Sequence, residues 1–291
     1  MNYIQNESNR TVNPSSIRMR TFLVPLLGAA LYYAGVIVVF FIAAIILGPQ
    51  NAEKYQQGLN AIAMALLIPP VLIWVRFSRR YEGKKLFFTR ITFAKLCSAV
   101  TVAFGLVGLT ILYFLLVTKA AESAPFIADS LKMYEKMTET IRLGAIDKWI
   151  YVGTIVILVP VVEELIFRGI ILHEFLSTMK TIPSVILASA VFAIVHIQPI
   201  QVGYAFFCGI IISAVYVLSR NIVLSILLHA VFNFLGSGVQ TLVPEETKLL
   251  DNLVYIYFGA IVLSVAALIY LKKNKEAEIK TEACHASVSE G

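Results

Sequence analysis

Two adjacent carboxylates and an arginine, Glu163-Glu164-x-x-x-Arg168, interrupt a long apolar run. Residues four apart share a helix face, so Glu164 and Arg168 can pair within one helix. Glu163 lies about 100° further round a helix of 3.6 residues per turn and points toward another helix. A helix-packing ion pair accounts for Glu164 and Arg168. It does not account for a second acid beside the same arginine, and a carboxylate held out of water suits proton transfer.

Two more motifs follow, Phe192-x-x-x-His196 and His229-x-x-x-Asn233. Taken alone, His196, on one face with Phe192, reads as a histidine hydrogen-bonding a neighbouring helix, and His229 with Asn233 as an interhelical hydrogen-bonding pair. Together they are harder to dismiss. At about 1.5 Å per helical residue, Glu163, His196 and Asn233 lie roughly 18–20 Å in from the same membrane face, with His229 about a turn shallower. A carboxylate and an imidazole around a buried water can deprotonate it for attack on a carbonyl. A second imidazole with an amide can donate to the resulting oxyanion. That constellation suits peptide-bond hydrolysis. Glu and two His are also plausible zinc ligands, so whether a divalent metal such as zinc takes part, or none, is left open. There is no His-Glu-x-x-His motif, no Gly-x-Ser-x-Gly elbow and no paired intramembrane Asp, which makes serine, standard zinc and aspartyl proteases poor fits.

The elements that must position these residues are membrane helices. The chain is 291 residues, 58% hydrophobic and only 14% charged, with mean hydropathy +0.80. Soluble domains carry about 25% charged residues. The apolar excess falls in blocks of roughly 20 residues, the length that crosses about 30 Å of hydrocarbon. The net charge of +6 clusters beside apolar segments, as topology signals do, and no nucleic-acid partner is expected. Cys97, Cys208 and Cys284 form no ligand or disulfide pattern.

The reading is an all-α polytopic membrane protein of about eight transmembrane helices, near 21–47, 59–75, 96–117, 149–175, 183–197, 202–218, 222–239 and 253–271. Residues 1–20 form a cytoplasmic segment, 21–271 a single transmembrane domain with its motif-bearing core at 149–239, and 272–291 a cytoplasmic tail. The basic residues Arg76, Arg79, Arg80, Lys84, Lys85, Arg90 and Lys95 mark a cytoplasmic loop, with Lys180, Arg220 and Lys272, Lys273 and Lys275 on the same side and the acidic Glu245, Glu246 and Asp251 opposite. Both termini are then cytoplasmic. Residues 119–148 carry an amphipathic surface helix, read as a packing element before a substrate lid. His173 and Glu174 are expected to snorkel into headgroups. Gln198 and Gln201 are expected as solvated turn residues, and Tyr204 and Cys208 as packing residues.

The three motifs, in this order on successive membrane helices, resemble those of the type II CAAX prenyl endopeptidase family, also called the CPBP or Abi group, which includes bacteriocin-processing and self-immunity proteins. The resemblance covers 149–239. It implies an eight-helix intramembrane glutamate-dependent peptidase acting on a peptide or protein substrate at the lipid bilayer. Carried over, Glu163 would activate water with His196 assisting, His229 and Asn233 would form the oxyanion site, and Glu164, Arg168 and Phe192 would support the geometry. Members are often labelled metalloproteases, which these residues do not decide. A bacterial plasma membrane is the expected location. Two other classes compete: a non-catalytic immunity or scaffolding protein of the same fold, and a proton-coupled transporter. The transporter predicts matching broken helices in two halves, whereas the polar motifs lie only in the second half.

Overall fold

A computed structural model describes residues 19–82, 89–139, 144–243 and 248–289. Expectations for residues 1–18, Lys84, Lys85, Glu245 and Glu246 lie outside these, as do those for the side chains of Arg79, Arg80, Asp251 and His285. The described residues form helices joined by short turns, with no strand among them. Six helices are long and apolar enough to cross a membrane: Thr21–Leu47, Gln56–Phe77, Phe93–Ala121, Pro199–Ser219, Ile222–Leu242 and Asn252–Thr281. A bilayer leaves only intrachain partners for backbone N–H and C=O groups, which is why the spans are helices. The chain is thus an all-α, polytopic integral membrane protein.

In order, α1 is Met19–Leu47, α2 Pro49–Lys54, α3 Gln56–Glu82, α4 Phe93–Ala121 and α5 Pro125–Glu139. Next comes one column, residues 145–178, built from α6 (Ala145–Gly153), α7 (Val159–Ile166) and α8 (His173–Thr178), joined by π-helical turns at Thr154–Leu158 and Phe167–Leu172. The first π turn has a cause in the sequence. Pro160 has no N–H for the carbonyl four residues back, and its ring crowds that carbonyl. The ladder widens instead, and the Val159 N–H bonds to the Thr154 carbonyl five residues back. The remaining elements are α9 (Thr181–Ile194), α10 (Pro199–Ser219), α11 (Ile222–Asn233), a π turn (Phe234–Gly238), α12 (Val239–Leu242) and α13 (Lys248–Ser289).

The column and the shorter apolar α9 join the six long helices to complete the eight apolar segments. The long connection folds as α5, packed on α4 and α10. Four expectations need correction. The helix expected to end near 271 runs on as α13, and Lys95 is buried beside it, bonding Glu278 at 2.7 Å. Lys95 is 1% exposed rather than spread in a solvated basic loop, because α13 extends far enough to cover it. His173 and Glu174 do not snorkel, since α1 and α9 pack against α8 and leave both side chains buried. Gln198 is buried too, not solvated. Its Nε2 donates to the Ser130 carbonyl of α5 and its Oε1 accepts from the Gln201 N–H, capping α10.

Small residues bring helices together. A Cβ on Gly105 would meet the Ala260 carbonyl at 2.8 Å, and one on Gly108 the Tyr257 carbonyl at 2.6 Å. These glycines let α4 and α13 approach backbone to backbone, as membrane helices do, and Ser264 Oγ donates across to the Thr101 carbonyl. At the other end of α4, Thr89 is tied to the α10–α11 turn. Its N–H donates to the Arg220 carbonyl (3.2 Å), its hydroxyl to the Ser219 carbonyl (2.8 Å), and its carbonyl accepts from Asn221 Nδ2 (2.6 Å). Asn221 also caps α11 through the Val223 N–H.

Candidate active site

Glu163, Glu164, Arg168, Phe192 and His229 meet where the 145–178 column packs against α9 and α11. Glu163 and Glu164 lie in α7, and Arg168 in the following π turn. Glu164 is wholly buried, Arg168 1% exposed and Glu163 5% exposed. Arg168 Nη1 donates to Glu164 Oε1 at 2.8 Å, as the four-residue spacing predicts. Its Nη2 donates to the Gly209 carbonyl of α10 at 3.2 Å. An unpaired charge at such depth costs several kcal/mol, so this pairing is a condition for the helix to fold where it does.

His229 bridges the two acids. Its Nδ1 lies 2.9 Å from the same Glu164 oxygen, and its Nε2 lies 3.7 Å from Glu163 Oε2. An ionised carboxylate only accepts, so Nδ1 carries the proton shared with Glu164. The Nε2 contact is longer than a hydrogen bond and leaves Glu163 Oε2 open to a further partner.

His196 departs from expectation. The expected span 183–197 puts it inside a helix, but α9 stops at Ile194 and His196 sits in the turn beyond it. The reason is Pro199, which biases the residue before it away from helical backbone and starts α10. His196 Nδ1 lies 2.8 Å from the Phe192 carbonyl. A carbonyl only accepts, so this nitrogen carries a proton, and Nε2 is the ring nitrogen left free of that bond. The next residue, Ile197, has φ of 63°, a left-handed conformation that β-branched residues rarely adopt.

Phe192 is the shared wall. Its ring lies 4.9 Å from the His196 ring and 6.1 Å from the His229 ring. The Arg168 guanidinium sits over it at 4.7 Å, a cation–π contact. Asn233 is the outlier of the set. Its Nδ2 donates to the Ile155 carbonyl in the first π turn at 2.8 Å, holding α11 against the column. One amide proton remains for another acceptor.

One contact was not anticipated. The Tyr32 hydroxyl of α1 donates to Glu163 Oε1 at 3.0 Å. A tyrosine in an apolar helix gives no periodicity or motif that would have flagged it.

Among the described residues, no three or more His, Cys, Asp or Glu side chains gather as a metal-binding group. Glu164 Oε1 is already engaged by Arg168 and His229. Among the described residues, the side chains therefore do not present the three protein ligands of a catalytic zinc site.

A helical membrane protein enclosing two glutamates, an arginine and two histidines is defined by its fold as a polytopic protein with an intramembrane polar site. Residues 145–235 match the family model of type II CAAX prenyl endopeptidase Rce1-like proteins. The match falls on the motif-bearing segment, well under half of the chain, and supports a CAAX-protease-like function acting on peptide or protein at the membrane. No curated protein and no solved structure matches the chain.

Proposed function

We propose that the chain is an intramembrane endopeptidase whose general base is Glu163. The observation that carries this reading is the division of labour between the two acids. Glu164 is committed to Arg168 and His229, while Glu163 keeps Oε2 toward the His229 ring and free of the arginine. Water held between Glu163 and His196 Nε2 gives a proton to the carboxylate as its oxygen attacks the peptide carbonyl carbon. The carbonyl π electrons move onto oxygen. His229, with the remaining amide proton of Asn233, stabilises that oxyanion. Collapse expels the amine, which takes the proton from Glu163. Every proton is accounted for, and the enzyme returns to its starting state.

The test compares peptides released from membranes bearing wild-type and Glu163→Ala protein, alongside an internally quenched peptide with a prenylated CAAX tail. Loss of a general base lowers turnover by about 10²–10⁴ fold. Cleavage by a folded, inserted Glu163→Ala protein at the wild-type rate sinks the mechanism. Protection against a bacteriocin that survives the same substitution assigns the fold to a non-catalytic immunity role instead.

A further inference from the structure

Glu163 has two carboxylate oxygens, and a general base works best when one is held and the other left for water. In this chain the holding group comes from outside the family-matched segment. From α1, Tyr32 donates its hydroxyl proton to Glu163 Oε1 at 3.0 Å, across 131 residues of sequence. Glu163 Oε2 is then the oxygen turned toward His229 Nε2, 3.7 Å away. We infer that Tyr32 is a positioning residue for Glu163: it fixes the carboxylate plane so that a single oxygen meets the water. This inference rests on the peptidase reading above.

Three further features place Tyr32 there. A Cβ on Gly28, one turn earlier on α1, would meet Ile171 at 3.2 Å and Ile166 at 3.3 Å, so α1 lies close against the 145–178 column. A Cβ on Gly35, about a turn later, would meet Leu67 of α3 at 2.5 Å. The two glycines thus seat the helix on both neighbours with Tyr32 between them. The Tyr32 ring packs into the apolar cluster that contains Val162 and Ile166, and Tyr33 meets it edge-on with centroids 5.7 Å apart. Ring and hydroxyl are both located, which leaves the donor little freedom to turn away.

Removing only the hydroxyl isolates the role. With purified full-length protein and the quenched prenyl-CAAX peptide, Tyr32→Phe lowers kcat about tenfold to a hundredfold, the range of a hydrogen bond to a charged group, and leaves KM unchanged. Tyr33→Phe, which removes the adjacent hydroxyl, keeps the wild-type kcat. A Tyr32→Phe enzyme at the wild-type kcat, or an equal loss in Tyr33→Phe, overturns the inference. A second measurement does not need activity. Tyr32→Phe lowers the thermal midpoint in the wild-type background but not in a Glu163→Ala background. Equal shifts in both backgrounds mean that the hydroxyl does not hold Glu163, and the inference fails. If wild-type protein cleaves nothing, or Glu163→Ala cleaves as fast, the peptidase reading falls, and the thermal cycle still decides whether Tyr32 holds Glu163.

Discussion

Arg168 and Glu164 behave as one unit at the residue scale. Arg168 reaches one carboxylate oxygen, one backbone carbonyl and one aromatic face, and lysine can match none of that planar geometry. Arg168→Met leaves Glu164 charged and buried with His229 alone. A loss of about 3–5 kcal/mol is expected, read as a lower unfolding midpoint in detergent; an unchanged midpoint refutes the pairing. Incubation with a chelator is expected to leave Glu163-dependent cleavage unchanged, because the clustered side chains offer too few ligands; loss restored by added zinc refutes this. The Glu164–Arg168 contact was legible in the sequence because it is local: four residues fix it. The bond from His229 Nδ1 to Glu164 was not, since nothing in either motif says which acid the ring would choose. Tyr32 was invisible for a related reason. Its partner is far along the chain, and one hydroxyl on an apolar helix resembles any buried tyrosine.

Elements carry the next level of information, and here sequence periodicity reached only part of the way. Helix α9 ends at Ile194, a little short of the expected boundary, and that difference moves His196 from a helix face into a turn. Pro199 was a visible stop signal, but its effect on the preceding residues depends on how the chain reverses. The reversal runs through Ile197 at φ 63°. Its side chain is 74% exposed, so little packing compensates the strain. Replacement by glycine relieves about 1 kcal/mol. Ile197→Gly is therefore expected to raise the unfolding midpoint slightly while lowering kcat, as the His196 turn becomes less fixed. A variant that is destabilised, or fully active, contradicts this account. The π turns were not foreseen either, although Pro160 supplies a physical reason for the first. A hydrophobic pattern reads the same through an α turn or a π turn, so their effect on side-chain direction is hidden from the pattern.

At the scale of the whole molecule, the site lies between two supports. Helices α1 and α3 border the 145–178 column, while α4 packs against α11 and is itself paired with α13. Fold class and segment order were legible because apolar length is a strong signal. The pairing of α4 with α13 was not, because glycines within apolar helices do not name their partner. Gly108→Leu forces a side chain against the Tyr257 carbonyl. It should cost about 1–3 kcal/mol from overpacking alone, seen as a lower unfolding midpoint; a midpoint equal to wild type would place α13 elsewhere. Finally, the three bonds between Thr89 and residues 219–221 bear on how this protein can be engineered. The α10–α11 turn is short and polar by sequence, the kind of place chosen for a reporter tag or a cleavage site. Here it is a junction of three helices, so a tag inserted after Arg220 would report on a broken helix junction rather than on membrane topology.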